Sequence, residues 1–155
     1  MRFEHLIEVN DFLNPLLEPL TREQLWDGLV RSAEEAALFL PSLDRCDVLA
    51  RTELSIDREL AFGRVTVKDR VRLFPRARLE FHSERTAHTP EARRVVTIEE
   101  PEPGELFVRF AYERKPQGHP PLSVEDGQFL SQAWLKADLD LIVKIRDLAA
   151  QETTG

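Results

Sequence analysis

The feature that most constrains the fold of this chain is a long amphipathic segment near its C-terminus, residues 123–150. Apolar side chains recur there at intervals of three and four residues, so they form one stripe along a helix. The stripe consists of Leu130, Trp134, Ala137, Leu141, Ile145 and Leu148. A helix rises about 1.5 Å per residue, so a segment of this length needs a broad apolar surface to cover its stripe. We therefore predict that the preceding strands form a curved sheet and that this helix closes the mouth of a container.

Composition limits the class of protein. A length of 155 residues favours one domain, residues 1–155. Lys and Arg total 21 against 28 for Asp and Glu, and the net charge of −7 argues against nucleic acid or an anionic membrane as a partner. The single cysteine, Cys46, excludes an internal disulfide. Because neither a signal peptide nor an apolar span of about 18 residues is found, we predict a cytoplasmic protein without membrane insertion.

Two kinds of periodicity divide the rest of the chain. Alternation of apolar and polar residues predicts strands at residues 3–9, 45–53, 55–62, 65–74, 78–84, 93–100 and 105–114. Thr21 and Gln24 match a capping box that opens a first helix, and a second short helix is predicted from Ala33 to Leu40. Short connections between the last six strands indicate antiparallel neighbours. The predicted class is α+β, with the helices segregated from an antiparallel sheet.

Two charged residues interrupt an otherwise apolar strand face. Arg58 shares its parity with Ile56, Leu60 and Phe62, while Asp69 shares its parity with Val67 and Val71. A two-residue turn at Gly63-Arg64 sets Arg58 opposite Asp69, with Cβ atoms about 5 Å apart. A lone buried charge is costly, so the two should pair. Two interpretations remain open: a salt bridge that ties the hairpin, or a polar anchor that orients a ligand in a pocket.

Further candidates follow from the same alternation and from the helix stripe. The full set of candidate ligand-binding residues is Arg58, Asp69, Phe62, Val67, Val71, Phe81, Val108, Phe110, Tyr112, Trp134, Asp138 and His5. The polar members each have an alternative: Tyr112 as a packed rim residue, His5 as a hydrogen-bonded core residue, and Asp138 as a solvated rim carboxylate. Arg94 shares the inward parity, but a position at a strand start would let its stem reach water.

Motifs for catalysis and metal binding are missing from the sequence. It contains no G-x-S-x-G, no P-loop and no dinucleotide fingerprint. The four histidines, at positions 5, 82, 88 and 119, lack metal-ligand spacing. We therefore predict no metal and no cofactor.

Several segments resemble one known superfamily. They are FEHLIEVND (3–11), PLTREQLWDGL (19–29), RELAFG (58–63), KDRV (68–71) and IEEPEPGELFVRFAYE (98–113). In their order and spacing the chain resembles the START-like, or helix-grip, architecture of the SRPBCC superfamily, and within it the AtaL-like family of largely unknown function. The resemblance implies a seven-stranded curved antiparallel sheet wrapped around the C-terminal helix, two short helices between strands 1 and 2, and an apolar cavity.

Three functional hypotheses are compatible with these observations. The first is a protein that binds a small hydrophobic molecule in an internal cavity, with Arg58 contacting an oxygen acceptor. The second is a cofactor-free enzyme of the polyketide cyclase or aromatase kind, in which Asp69, His5, Tyr112 and Asp138 would supply acids and bases. The third is a protein-interaction module, or a homodimer, that uses the outer apolar stripe of the long helix. That stripe consists of Leu135, Leu139, Ile142 and Val143.

Overall fold

A computed structural model describes residues 1–154, with the side chains of residues 1–152. Gly155, which the predicted domain includes, lies outside the described residues. The elements in chain order are β1 (Arg2–Glu8), α1 (Arg22–Glu34), α2 (Ala36–Phe39), β2 (Arg45–Arg51), β3 (Ser55–Phe62), β4 (Val65–Phe74), β5 (Arg78–Ser83), β6 (Glu91–Glu99), β7 (Phe107–Lys115) and α3 (Val124–Thr154).

The seven strands form one antiparallel sheet in the order β1-β7-β6-β5-β4-β3-β2. Strands β2 to β7 follow one another as a meander, and β1 returns to pair with β7 at the far edge. The sheet curves around α3, and the predicted helix-grip architecture is confirmed. The capping box of α1 is also confirmed, because Thr21 and Gln24 bond reciprocally.

Some predicted boundaries are wrong. Strand β6 begins at Glu91 and not at residue 93, and α3 continues to Thr154 instead of ending at residue 150. The second helix covers only Ala36–Phe39, because Ala33 still belongs to α1, where it is fully buried. The apolar periodicity of α1 therefore runs on further than the sequence prediction allowed.

The pairing register arranges inward-facing side chains in rows that cross several strands. One row, here called the polar row, contains Arg58, Asp69, Ser83, Ala92 and Arg114. Next to it runs the boundary row, formed by Ile56, Val71, Phe81, Arg94, Tyr112 and Phe3. Beyond it lies the core row, formed by Leu73, Leu79, Val96, Phe110 and His5. Polarity therefore falls along the strands, from one end of the sheet to the other.

Helix α3 crosses these rows and is buried unevenly. Leu141, Ile142, Ile145 and Ala149 in its second half belong to the hydrophobic core, whereas Trp134 is only partly buried. The expectation that Ile142 lies on the outer stripe is wrong, because α1 packs against α3 as well as the sheet and the buried face is wider than one stripe.

The rest of the outer stripe remains accessible. Leu135, Leu139 and Val143 are 37%, 46% and 57% exposed. The homodimer and the interaction module therefore stay predictions, as does the cytoplasmic location. Within residues 1–154, no helix has both the length and the apolar character needed to cross a membrane.

We expect Gly28→Ala to lower the free energy of unfolding by about 1–3 kcal/mol through overpacking, although alanine is the better helix former. A Cβ atom at position 28 would lie 2.5 Å from Cγ2 and 2.9 Å from Cγ1 of Ile145. Ile145 is 1% exposed, so the two helices would have to separate. Urea unfolding followed by circular dichroism measures the loss.

Gly127→Ala in α3 is the matched control. A Cβ atom there would meet Met1 and Phe3 at an ordinary 3.7 Å, so the substitution should stabilise by about 0.4–1 kcal/mol. Adding Ile145→Ala to Gly28→Ala makes room for the new methyl group. The combined loss should therefore be smaller than the sum of the two single losses. Strict additivity would contradict the close approach of α1 to α3.

Candidate functional site

A chamber of about 340 Å³ lies at the polar end of the sheet. Its floor is formed by the ends of β3 to β7, and its roof by the first half of α3 and the segment around α2. Ligand pockets in proteins occupy about 300–1,000 Å³, so this chamber has room for a small molecule. Many of the candidate residues line it, namely Arg58, Asp69, Phe62, Val67, Phe81, Tyr112, Trp134 and Asp138.

The remaining candidates lie outside the chamber wall. Val71, Val108 and Phe110 have no exposed surface, and His5 sits beside Phe110 in the core row. Alternation along a strand predicts which face a side chain occupies, but not how far along the strand the filled part of the core extends. These four residues lie on the predicted face of the sheet, outside the lining of this chamber.

The predicted pairing of Arg58 with Asp69 is confirmed. Nε and Nη2 of Arg58 donate to the two carboxylate oxygens of Asp69 at 2.8 and 2.6 Å. The side chains are 5% and 8% exposed. Nη1 also donates to the carbonyl oxygen of Ala33 at 2.9 Å.

The contact between Arg58 and Ala33 ties the sheet to a helix. Ala33 lies in the last turn of α1, where backbone carbonyls have no partner within the helix. Arg58 therefore joins β3, β4 and α1 in one buried network. All three of its donor nitrogens are occupied by the protein, which favours the structural interpretation of this pair over the ligand anchor.

A second polar group belongs to the roof and the floor together. The Tyr112 hydroxyl donates to the carboxylate of Asp138 and lies 2.7 Å from both Oδ1 and Oδ2. Asp138 is only 2% exposed, so its interpretation as a solvated rim carboxylate is wrong. The Tyr112 ring stacks on Trp134, with ring centroids 4.2 Å apart and planes at 8°. These contacts hold α3 against β7 beside the chamber.

Burial changes the acid–base properties of this pair. It raises the pKa of the Asp138 carboxyl, an effect that Arg94, the Tyr112 hydroxyl and His5 partly oppose. Burial is also the main cause that raises the pKa of the Tyr112 hydroxyl. Tyr112 therefore acts as a neutral donor, while the charged form of Asp138 is costly in this environment.

Arg94 is the functional candidate that sequence reasoning missed. Its parity pointed inward, but a strand predicted to begin at residue 93 left it at the edge of the sheet. Because β6 begins at Glu91, Arg94 instead lies inside the sheet between Phe81 and Tyr112. Its guanidinium carbon is 4.8 Å from the centroid of the Phe81 ring, a cation–π distance.

The guanidinium of Arg94 is incompletely satisfied. Nη2 is 3.7 Å from Oδ1 of Asp138, which is beyond a hydrogen bond. Nε is buried, and no described residue accepts a hydrogen bond from it. The side chain is 31% exposed and lines the chamber. Arg94 therefore brings a positive charge to a largely apolar space.

Among the described residues, no group of three or more His, Cys, Asp or Glu side chains is placed to hold a metal ion.

A protein-family model described as "AtaL: Acetylaranotin biosynthesis cluster protein L" matches residues 7–152. No functionally curated protein matches the chain by sequence.

Solved structures share the fold at low sequence identity. The Zhui aromatase/cyclase from Streptomyces sp. R1128 is 12% identical with a TM-score of 0.63, over 99% of this chain and 95% of that one. A START superfamily protein from Mycobacterium smegmatis is 13% identical with a TM-score of 0.63, over 95% and 98%. The di-domain aromatase/cyclase BexL of the BE-7585A biosynthetic pathway is 12% identical with a TM-score of 0.66, over 95% of this chain and 49% of that one. Similarity at this level shows a common fold and not a common activity.

We expect Arg58→Met to destabilise the protein by about 3–5 kcal/mol, because it leaves the Asp69 carboxylate buried without its counter-ion. Replacing both partners, as Arg58→Met with Asp69→Leu, should recover most of that loss. Chemical denaturation of the three proteins measures the difference.

Arg70→Met is the matched control for the buried pair. Arg70 bonds to Asp57 on the outer face of the same two strands, one register position away, and both side chains are accessible to water. Its unfolding midpoint should stay close to that of the wild type. An equal loss in Arg70→Met and Arg58→Met would contradict the special role of burial.

Asp138 should make stability depend on pH in a defined direction. Its pKa is higher in the folded state than in the unfolded state. Its stabilising contribution is therefore complete below the unfolded pKa and is lost as the pH rises through the folded pKa. Asp138→Asn, which cannot ionise, should become more stable relative to the wild type as the pH rises through that window. Unfolding curves at a series of pH values measure this difference.

Asp140→Asn is the control for the effect of Asp138. Asp140 is an exposed carboxylate on the same helix that pairs with Lys136. Because the Asp140 side chain is exposed, the stability of Asp140→Asn relative to the wild type should change much less with pH than that of Asp138→Asn. The assignment to Asp138 fails if the two variants show the same trend.

Proposed function

The chain belongs to the AtaL family, and from the geometry of its chamber we propose that it binds one small, mostly apolar molecule that presents an oxygen acceptor to Arg94. The apolar body of the ligand would pack against Phe62, Val67 and Phe81 on the floor and against Trp134 on the roof. Burial of apolar surface would supply most of the binding energy.

The observation that carries the proposal is the Arg94 side chain, which lines the chamber, is 31% exposed and makes no hydrogen bond to the neighbouring carboxylate of Asp138. A hydrogen bond from a charged group contributes about 1.5–3 kcal/mol, and a ligand oxygen in the chamber would accept one from this guanidinium. Arg58 was the anchor expected from the sequence, but Asp69 and Ala33 already occupy its donors. The ligand contact is therefore assigned to Arg94.

The cyclase alternative receives less support from the same geometry. Its carboxylates are engaged by the protein, Asp69 by Arg58 and Asp138 by Tyr112. His5 lies in the core row and is not part of the chamber lining. An acid and a base must both reach one substrate atom. The fold shared with the aromatase/cyclases is compatible with either function, so the engaged carboxylates favour binding.

Acetylnaphthalene and its apolar analogue ethylnaphthalene test the role of Arg94. They share a bicyclic body and differ in one carbonyl oxygen. A hydrogen bond to a charged group contributes about 1.5–3 kcal/mol. Acetylnaphthalene should therefore bind the wild type about 10-fold to 100-fold more tightly than it binds Arg94→Met. Ethylnaphthalene should bind both proteins equally in fluorescence titrations.

Two further variants complete this test. Arg72→Met removes an exposed arginine from the outer side of β4 and should bind both compounds as the wild type does. Ala137→Trp fills the chamber from α3 and should abolish binding of both compounds. Binding of neither compound to the wild type, or undiminished binding to Ala137→Trp, would overturn the proposal that the chamber holds a ligand.

A further inference from the structure

We propose that the chamber takes up an anionic ligand together with a proton, with the anionic oxygen on Arg94 and the proton on Asp138. This inference rests on the proposed function, and it specifies the chemical class of the ligand as an apolar molecule that carries one negative oxygen group. No covalent bond forms or breaks. The proton comes from solvent and returns to it when the ligand leaves.

The first step of the argument is the open geometry of Arg94 and Asp138. Their closest charged atoms are 3.7 Å apart, so they compensate one another electrostatically without sharing a hydrogen bond. The Tyr112 hydroxyl occupies the carboxylate instead, at 2.7 Å. The Arg94 side chain lines the chamber and is 31% exposed, so its guanidinium keeps room for a second anion on that side.

The second step concerns the other charges around Asp138. From β3 and β4 come Arg58 and Asp69, which neutralise each other through two hydrogen bonds. From β1 comes the imidazole of His5, whose ring centroid is 6.0 Å from that of Tyr112 on β7. Arg114 on β7 also lines the chamber, but Arg94 on β6 is the guanidinium beside Asp138, at 3.7 Å, and so it is the one that faces both Asp138 and an incoming anion.

The third step follows from the electrostatics of such a site. Two anions beside one buried cation repel each other, and the group that accepts a proton most readily becomes neutral. Asp138 is 2% exposed, so its charged form has little access to water. A protonated Asp138 keeps its contact with the Tyr112 oxygen, because the carboxyl O–H can then donate to it. Anion binding and protonation therefore support one another.

The binding of an anion should consequently depend on pH. Between the pH at which Asp138 ionises in the free protein and the higher value in the complex, binding takes up about one proton, and affinity falls about tenfold per pH unit. An uncharged ligand of the same shape leaves the balance between Arg94 and Asp138 unchanged. Its affinity should be independent of pH in the same range.

Anilinonaphthalene sulfonate and phenylnaphthylamine are a suitable pair of probes. They share the same aromatic body, and the sulfonate stays ionised throughout the acid and neutral range, so its own titration does not contribute. Calorimetry in two buffers with different heats of ionisation counts the protons taken up per ligand. We expect an uptake approaching one proton for the sulfonate in the coupled range and none for phenylnaphthylamine.

Three variants locate the proton and the anion. Asp138→Asn should still bind the sulfonate, without proton uptake and without the pH dependence. Asp140→Asn, which removes an exposed carboxylate from the same helix, should behave as the wild type. Arg94→Met should lose its preference for the sulfonate over phenylnaphthylamine.

The outcomes separate this inference from the proposed function. Sulfonate binding to the wild type without proton uptake, or uptake that persists in Asp138→Asn, overturns the inference. Binding of phenylnaphthylamine without binding of the sulfonate also overturns it, while the chamber remains a ligand site. Failure of both probes to bind overturns the proposed function itself.

Discussion

The packing of the second half of α3 against one end of the sheet determines the rest of this structure. Ile145 approaches α1 so closely at Gly28 that a single methyl group would collide with it. That contact fixes α3 low over the core row, where Phe110 and its neighbours fill the space completely. The first half of α3 lies above the polar and boundary rows, and the side chains of those rows leave part of the space beneath the helix unfilled. The chamber is the unfilled part of the concave face, because side chains pack closely only at the end formed by the core row.

The two inward-facing arginines on β3 and β6 differ in how their guanidiniums are paired. Every nitrogen of Arg58 donates to Asp69 or to the last turn of α1, so this residue joins three elements. It therefore has little left to offer a ligand, and we call this pair closed. Arg94 is open, since Asp138 balances its charge without hydrogen-bonding to it. The pair of Arg58 and Asp69 contributes to the architecture, and the pair of Arg94 and Asp138 is the one to which the proposed function assigns the ligand. The ring of Phe81 lies near both guanidiniums, with its centroid 5.2 Å from the guanidinium carbon of Arg58 and 4.8 Å from that of Arg94.

Local patterns in the sequence predict some of this arrangement and not the rest. Alternation and one hairpin turn suffice to place Arg58 opposite Asp69, because strand pairing is set by neighbours in the chain. The same alternation assigns Arg94 and Phe110 to one face without saying that the first meets a chamber and the second a filled core. That difference depends on where α1 and α3 lie. A shift of two residues in the start of β6 was enough to hide Arg94.

An unpaired donor in a buried position is a cost that a purely structural arginine would avoid. Arg58 shows that this sheet can give every nitrogen of a guanidinium a hydrogen bond, so the more open state of Arg94 is not imposed by the fold. The neighbouring carboxylate could have closed the gap, yet Tyr112 holds it instead. The hydrogen bond from Tyr112 to Asp138 and the stacking of Tyr112 on Trp134 stabilise the roof, and they leave Arg94 without a hydrogen bond to Asp138. In the function we propose, a ligand oxygen accepts a hydrogen bond from this guanidinium, and the charge of that ligand then decides whether Asp138 remains ionised.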